Sequence, residues 1–105
     1  MFDKYYDDIR ISPHTYQRAA ERLPIIWKNE CEGEPAYKNW IVRRVRRAQQ
    51  QGSLSPYPPA WSDIRIGQRK KSAWVVGSCD GLQYGILVEE KVKTLLVITV
   101  ITYDL

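Results

Sequence analysis

Apolar and polar positions change their period once along this chain. Over Pro13 to about Leu23 the apolar residues Tyr16, Ala19, Ala20 and Leu23 recur at helical spacing, with Ser12 placed to cap and Pro13 suited to the first helical position. "CEGEP" reads as a loop. A second helix is expected from about Ala36 to Gln51, with Tyr37, Ile41, Val45 and Ala48 as its buried face and Trp40 beside them. A break rich in Gly, Ser and Pro follows at 51–60. Beyond it the period drops to two. "WSDIRIG", "SAWVVGSC", "LQYGILVEE" and "TLLVITVITYD" read as four consecutive strands, with Asp80-Gly81 as a two-residue hairpin turn and "EKVK" as the next reversal. "IRI", just before Ser12, reads as a short extended lead-in. The order predicts an α+β fold in which two N-terminal helices pack on a four-stranded antiparallel β-meander. The chain is one domain over residues 1–105, helical at 12–51 and sheet at 61–104. The sheet face away from the helices is expected to be wet or to bind something.

Charge changes the picture more than composition does. Hydrophobic residues make up 44% of the 105 positions, enough for one modest core. The net charge of +4 is unevenly spread: Asn39 to Lys71 holds eight Arg or Lys against the single acid Asp63, which leaves eight basic and eleven acidic residues elsewhere. One end of the molecule is therefore strongly positive, which points to a phosphate backbone, an acidic protein surface or anionic lipid. Cys31 and Cys79 form no metal-ligand or redox spacing and read as reduced thiols of a cytoplasmic protein. The opening "MFDKYYDDIR" is polar and acidic, unlike a secretion signal, and the apolar run "LLVITVIT" is too short to span a bilayer. No membrane partner is expected.

Three constellations could carry chemistry. His14, Arg18 and Arg22 stand four apart and share one face of the first helix. An imidazole is the usual proton shuttle near neutral pH, and planar guanidinium donors suit phosphate oxygens, so this stripe could serve phosphodiester cleavage without metal or cofactor. A plain solvated helix face is the alternative. The second constellation is a basic belt: Arg43, Arg44, Arg46 and Arg47 on the second helix, with Arg65, Arg69, Lys70 and Lys71 in "RIGQRKK". Trp61, Trp74 and Tyr57 lie near in sequence and could stack on bases. The third is Thr99, Thr102 and Tyr103 on the last strand. No G-x-S-x-G, P-loop or G-x-G-x-x-G is present, so acyl transfer, kinase and dehydrogenase chemistry find no support.

The helix opening in "ISPHTYQRAAER", the second helix and the meander "SAWVVGSCDGLQYGILVEEKVKTLLVITVITYD" resemble small metal-independent ribonuclease toxins of the RelE, BrnT, barnase and colicin type. The shared features are an H-x-x-x-R-x-x-x-R helix, here His14, Arg18 and Arg22, and a closing V-I-T-V strand, here Val97-Ile98-Thr99-Val100. The resemblance runs from Ile11 onward. It implies RNA cleavage by general acid–base catalysis and a paired antitoxin. His14 and Arg18 would be the acid–base and phosphate residues, with Arg22 and Thr99 in support. The insertion "LPIIWKNECEGEPAYKNW" departs from the pattern, in which the helices are joined by a quick turn. Two readings thus stand side by side: a toxin-type endoribonuclease, and a non-enzymatic module that binds nucleic acid or an acidic protein through the same basic belt.

Overall fold

The computed structural model describes residues 4–22, 34–62, 71–79 and 82–104. Its elements are β1 (Ile9–Ile11), α1 (Pro13–Arg22), α2 (Glu34–Gln51), β2 (Ser72–Cys79), β3 (Leu82–Lys91) and β4 (Thr94–Asp104).

Local chemistry accounts for the helix ends. The Ser12 hydroxyl accepts the Thr15 N–H at 3.2 Å, satisfying one of the donors that the first turn of α1 leaves without a helical partner. α2 stops at a glycine: Gly52 takes φ 64°, Ser53 N–H bonds the Ala48 carbonyl at 2.9 Å and Gly52 N–H bonds Gln49 at 3.2 Å. This pair of bonds is a Schellman cap, and it turns the chain sharply away after Gln51.

The four-stranded sheet has the order β1-β4-β3-β2. β2, β3 and β4 form the expected antiparallel meander, with Cys79 opposite Leu82 and Lys91 opposite Thr94. The fourth strand is a correction. It is β1, the segment read as a lead-in, and it pairs parallel to β4 through Ile9 with Leu95 and Ile11 with Val97, so the sheet is mixed. The physical reason is that Ile9 is buried and its short ladder satisfies backbone groups on the outer edge of β4, where the meander offers no neighbour. The strand expected at "WSDIRIG" does not begin where it should: Trp61 lies in a turn, and residues 63–70, like the Asp80-Gly81 turn, lie outside the described residues.

Both helices cover one face of the sheet. Trp40, Ile41, Val45 and Ala48 of α2 and Ala19 of α1 pack with Ala73, Val75, Ile86, Val88, Leu95, Val97 and Val100. Burying each large aliphatic side chain here stabilises the fold by roughly 1.5–3 kcal/mol. The buried face of α2 is the expected one, with Tyr37's side chain outside the described set. On α1 the fully buried residue beside Ala19 is polar: Thr15 donates its hydroxyl to the Val97 carbonyl at 2.9 Å and so ties α1 to β4.

A bulge in β4 decides which hydroxyls face where. Leu87 pairs with Thr99 but Val88 pairs with Val97, which leaves Ile98 as an extra residue. Val97 and Val100 therefore both face the helices although they are three apart, and Ile98 and Thr99 turn to the opposite face. That second face is part covered. Trp74, Leu87 and Ile101 are buried there under Trp61 and Ile98, and Trp61 lies 5.8 Å from the Tyr103 ring.

Candidate functional site

The first face of the sheet positions the basic helix. Because Ile41, Val45 and Ala48 point into the core, Arg43, Arg44, Arg46 and Arg47 are forced outward or sideways. They do not behave alike. Arg46 donates to the Asp7 carbonyl at 3.0 Å and helps hold the N-terminal segment. Arg44 is half-buried, its guanidinium 4.9 Å from the centre of the Trp40 ring, a cation–π contact that fixes its direction. Trp40 is in turn held edge-on against Tyr84, with ring centres 5.2 Å apart. Arg43 and Arg47 are exposed and make no ion pair among the described residues.

Two open cavities adjoin this helix and share two arginines. One, of about 250 Å³, is lined by Trp40, Arg43, Arg44 and Arg47. The other, of about 220 Å³, runs between the C-terminal half of α2 and strand β2, lined by Arg44, Arg47, Gln51, Ser53, Val76, Gly77 and Ser78 among others. No acidic residue is found among the described residues lining either. Gly77 keeps the floor of the second open, for a Cβ there would come within 2.7 Å of Tyr84 Cζ.

The remaining site residues expected from sequence are dispersed. His14 is exposed at the second position of α1 and makes no hydrogen bond or ion pair among the described residues. Arg18, one turn on, is held by Glu21 at 3.0 Å. The side chain of Arg22 is outside the described set. Thr99 is half-buried on the sheet face opposite the helices, so the bulge separates it from α1. Neither His14 nor Arg18 lines the two arginine cavities. Of the second basic stretch, Arg65, Arg69 and Lys70 lie outside the described residues. Lys71 lines a different cavity, of about 460 Å³, with Tyr6, Glu89, Glu90 and the Val92-Lys93 turn.

The aromatic residues also divide. Trp74 is buried and cannot stack on a ligand, Trp61 is half-buried against Tyr103, and Tyr57 is 61% exposed. Sequence reasoning missed Ser53, Gly77 and Ser78, because nothing local marks them: they meet the arginines only across the α2–β2 junction. Among the described residues no group of three or more His, Cys, Asp or Glu side chains could share a metal ion. No described helix is long and apolar enough to cross a membrane.

Comparison of the chain with protein-family models, with curated proteins and with solved structures returns no match.

Proposed function

We propose that this protein binds the sugar–phosphate backbone of a nucleic acid along the outer face of α2. The observation that carries the reading is the continuous surface formed by Arg43, Arg44 and Arg47, which line two adjoining cavities with no acid among their described lining residues. Guanidinium forks match phosphate oxygens in shape and charge. Arg43 and Arg47 stand four apart, so about 6 Å of helix rise separates them, and a row of cations at that interval suits a polymeric anion better than a single small one. Like charges this close repel by a few tenths of a kcal/mol per pair on a bare helix, and a bound polyanion removes that penalty. Arg44 is already oriented by Trp40, which reduces the ordering entropy lost on binding.

The geometry supports binding ahead of cleavage. The one imidazole and the arginine surface belong to different elements, and Arg18 is occupied by Glu21. Fluorescence anisotropy with a labelled single-stranded 20-mer tests the reading. The wild-type chain should bind with log K falling against log salt at a slope of about −2, as three phosphate contacts on a single strand require. Arg43→Glu/Arg47→Glu, both at exposed positions, should abolish binding, whereas Arg10→Glu on β1 should not. Undiminished binding by the double reversal would overturn the proposal.

A further inference from the structure

The second arginine cavity has another wall, the open edge of β2. Trp74 exchanges both of its backbone hydrogen bonds with Ser55, its N–H donating to Ser55 O at 2.7 Å and its carbonyl accepting from Ser55 N at 2.9 Å. Trp74 therefore turns its backbone away from β3. In an antiparallel ladder the direction alternates, so Val76 and Ser78 turn theirs the same way. β2 is the last strand of the sheet and its contact with Ser55 ends at Trp74, so no described strand meets Val76 or Ser78 on that side. Both residues line the cavity together with Arg44 and Arg47, and both are exposed.

This pairing of walls is chemically selective. Guanidinium groups and the edge N–H groups are donors and suit phosphate oxygens. The edge carbonyls of Val76 and Ser78 are acceptors, which repel phosphate and require a donor. A ribose 2′-hydroxyl supplies one next to every phosphate, and deoxyribose does not. The alternative occupant of an open strand edge is a protein strand, but among the described residues the free edge offers two outward-facing residues and is blocked by Ser55 at Trp74, less than an ordinary strand pairing uses.

We infer that the groove between α2 and β2 selects RNA over DNA, Arg44 and Arg47 holding phosphates while the main-chain carbonyls of Val76 and Ser78 accept hydrogen bonds from ribose 2′-hydroxyls. The inference rests on the nucleic-acid reading above and adds the sugar that the site demands.

Anisotropy titrations with one 12-residue sequence made as RNA, as DNA and as 2′-fluoro RNA test it. The fluoro sugar accepts but cannot donate. The expected result is RNA bound about 5- to 10-fold more tightly than either of the others, as one or two added hydrogen bonds supply. Val76→Pro and Ser78→Pro, which an edge strand tolerates when the N–H faces outward, leave the carbonyls in place but set a ring Cδ on the same outward side, where it blocks the approach of a ribose to them, and should each shrink that ratio towards one. Circular dichroism identifies any variant that fails to fold, and the other then carries the comparison. Equal affinity for all three probes, with Arg43→Glu/Arg47→Glu still abolishing binding, would overturn the inference and leave the nucleic-acid reading intact. A preference for RNA that survives in the folded proline variants would overturn the edge as its source. Binding of an acidic ten-residue peptide with no binding of any oligonucleotide would overturn both and assign the edge to a protein strand.

Discussion

The side-chain amide of Gln49 brackets the backbone of Tyr6: Tyr6 N–H donates to Gln49 Oε1 at 2.8 Å, and Gln49 Nε2 donates to the Tyr6 carbonyl at 2.9 Å. One side chain of α2 thus acts as a substitute strand for the segment that leads into β1, forty-three positions earlier. It fixes the arginine-bearing helix against the edge of the sheet.

Gln49→Ala removes both bonds and leaves two part-buried backbone groups to find other partners. The expected loss is about 2 kcal/mol of stability, or roughly 8 °C in Tm for a domain of this size, measured by thermal unfolding followed at the far-ultraviolet dichroism band. An unchanged midpoint would show that water replaces the amide fully.

The phenol of Tyr6 makes stability fall in alkali. A hydrogen bond with the Glu90 carboxylate, then desolvation and the Glu90 charge, raise its pKa above the ordinary 10.0. The folded chain keeps this proton at a pH where the unfolded chain has lost it. The contribution is therefore complete below the unfolded value and disappears as pH rises through the folded one. Urea midpoints taken between about pH 9 and 11 should decline for the wild type and decline less for Tyr6→Phe. Asp8 has the opposite sign. The Thr94 hydroxyl, and after it the Arg10 guanidinium, hold its carboxyl below the ordinary 3.8, so its contribution is present above that value and is lost in stronger acid. Asp8→Asn should flatten the acid limb.

Gly77→Ala places a methyl group against the Tyr84 ring at the floor of the α2–β2 groove. Tyr84 is buried and packed on Trp40, so it has little room to yield. The variant should lose about 1–3 kcal/mol and bind RNA more weakly, because Trp40 is the support for Arg44. Chemical denaturation and anisotropy on the same sample read the two effects separately.

Lys93 is the one non-glycine residue with positive φ among those described, at 64° in the two-residue turn between β3 and β4. Left-handed backbone costs an ordinary side chain about 1 kcal/mol. Lys93→Gly should recover part of this and raise Tm by a few degrees. A lower Tm would mean that glycine's greater freedom in the unfolded chain outweighs the relief.

His14→Ala should leave oligonucleotide affinity unchanged within twofold, since the imidazole lies outside both arginine cavities. A loss of affinity, or RNA fragments produced by the wild type and not by the variant, would draw α1 into the site.

How much of this was legible in the sequence follows the range of the interactions. Helix α2 ends at the expected Gln51 and buries Ile41, Val45 and Ala48, because a helix face is set by neighbours three and four residues away. The strands β2, β3 and β4 follow from alternation and short turns for the same reason. "IRI" could not be read as a strand: three residues carry too little period, and their partners begin at Leu95, joined to them only through the finished sheet. The face of Thr99 was equally hidden, since one extra residue in β4 reverses the alternation and the bulge is visible only against β3. The positive charge of α2 is written in four arginines, but which of them face a ligand is not. Asp7 takes Arg46, Trp40 turns Arg44, and the β2 edge supplies the opposite wall. Local spacing determined the elements and their buried faces, and long-range packing alone decided which polar groups share a groove, because those contacts exist only after the sheet has closed.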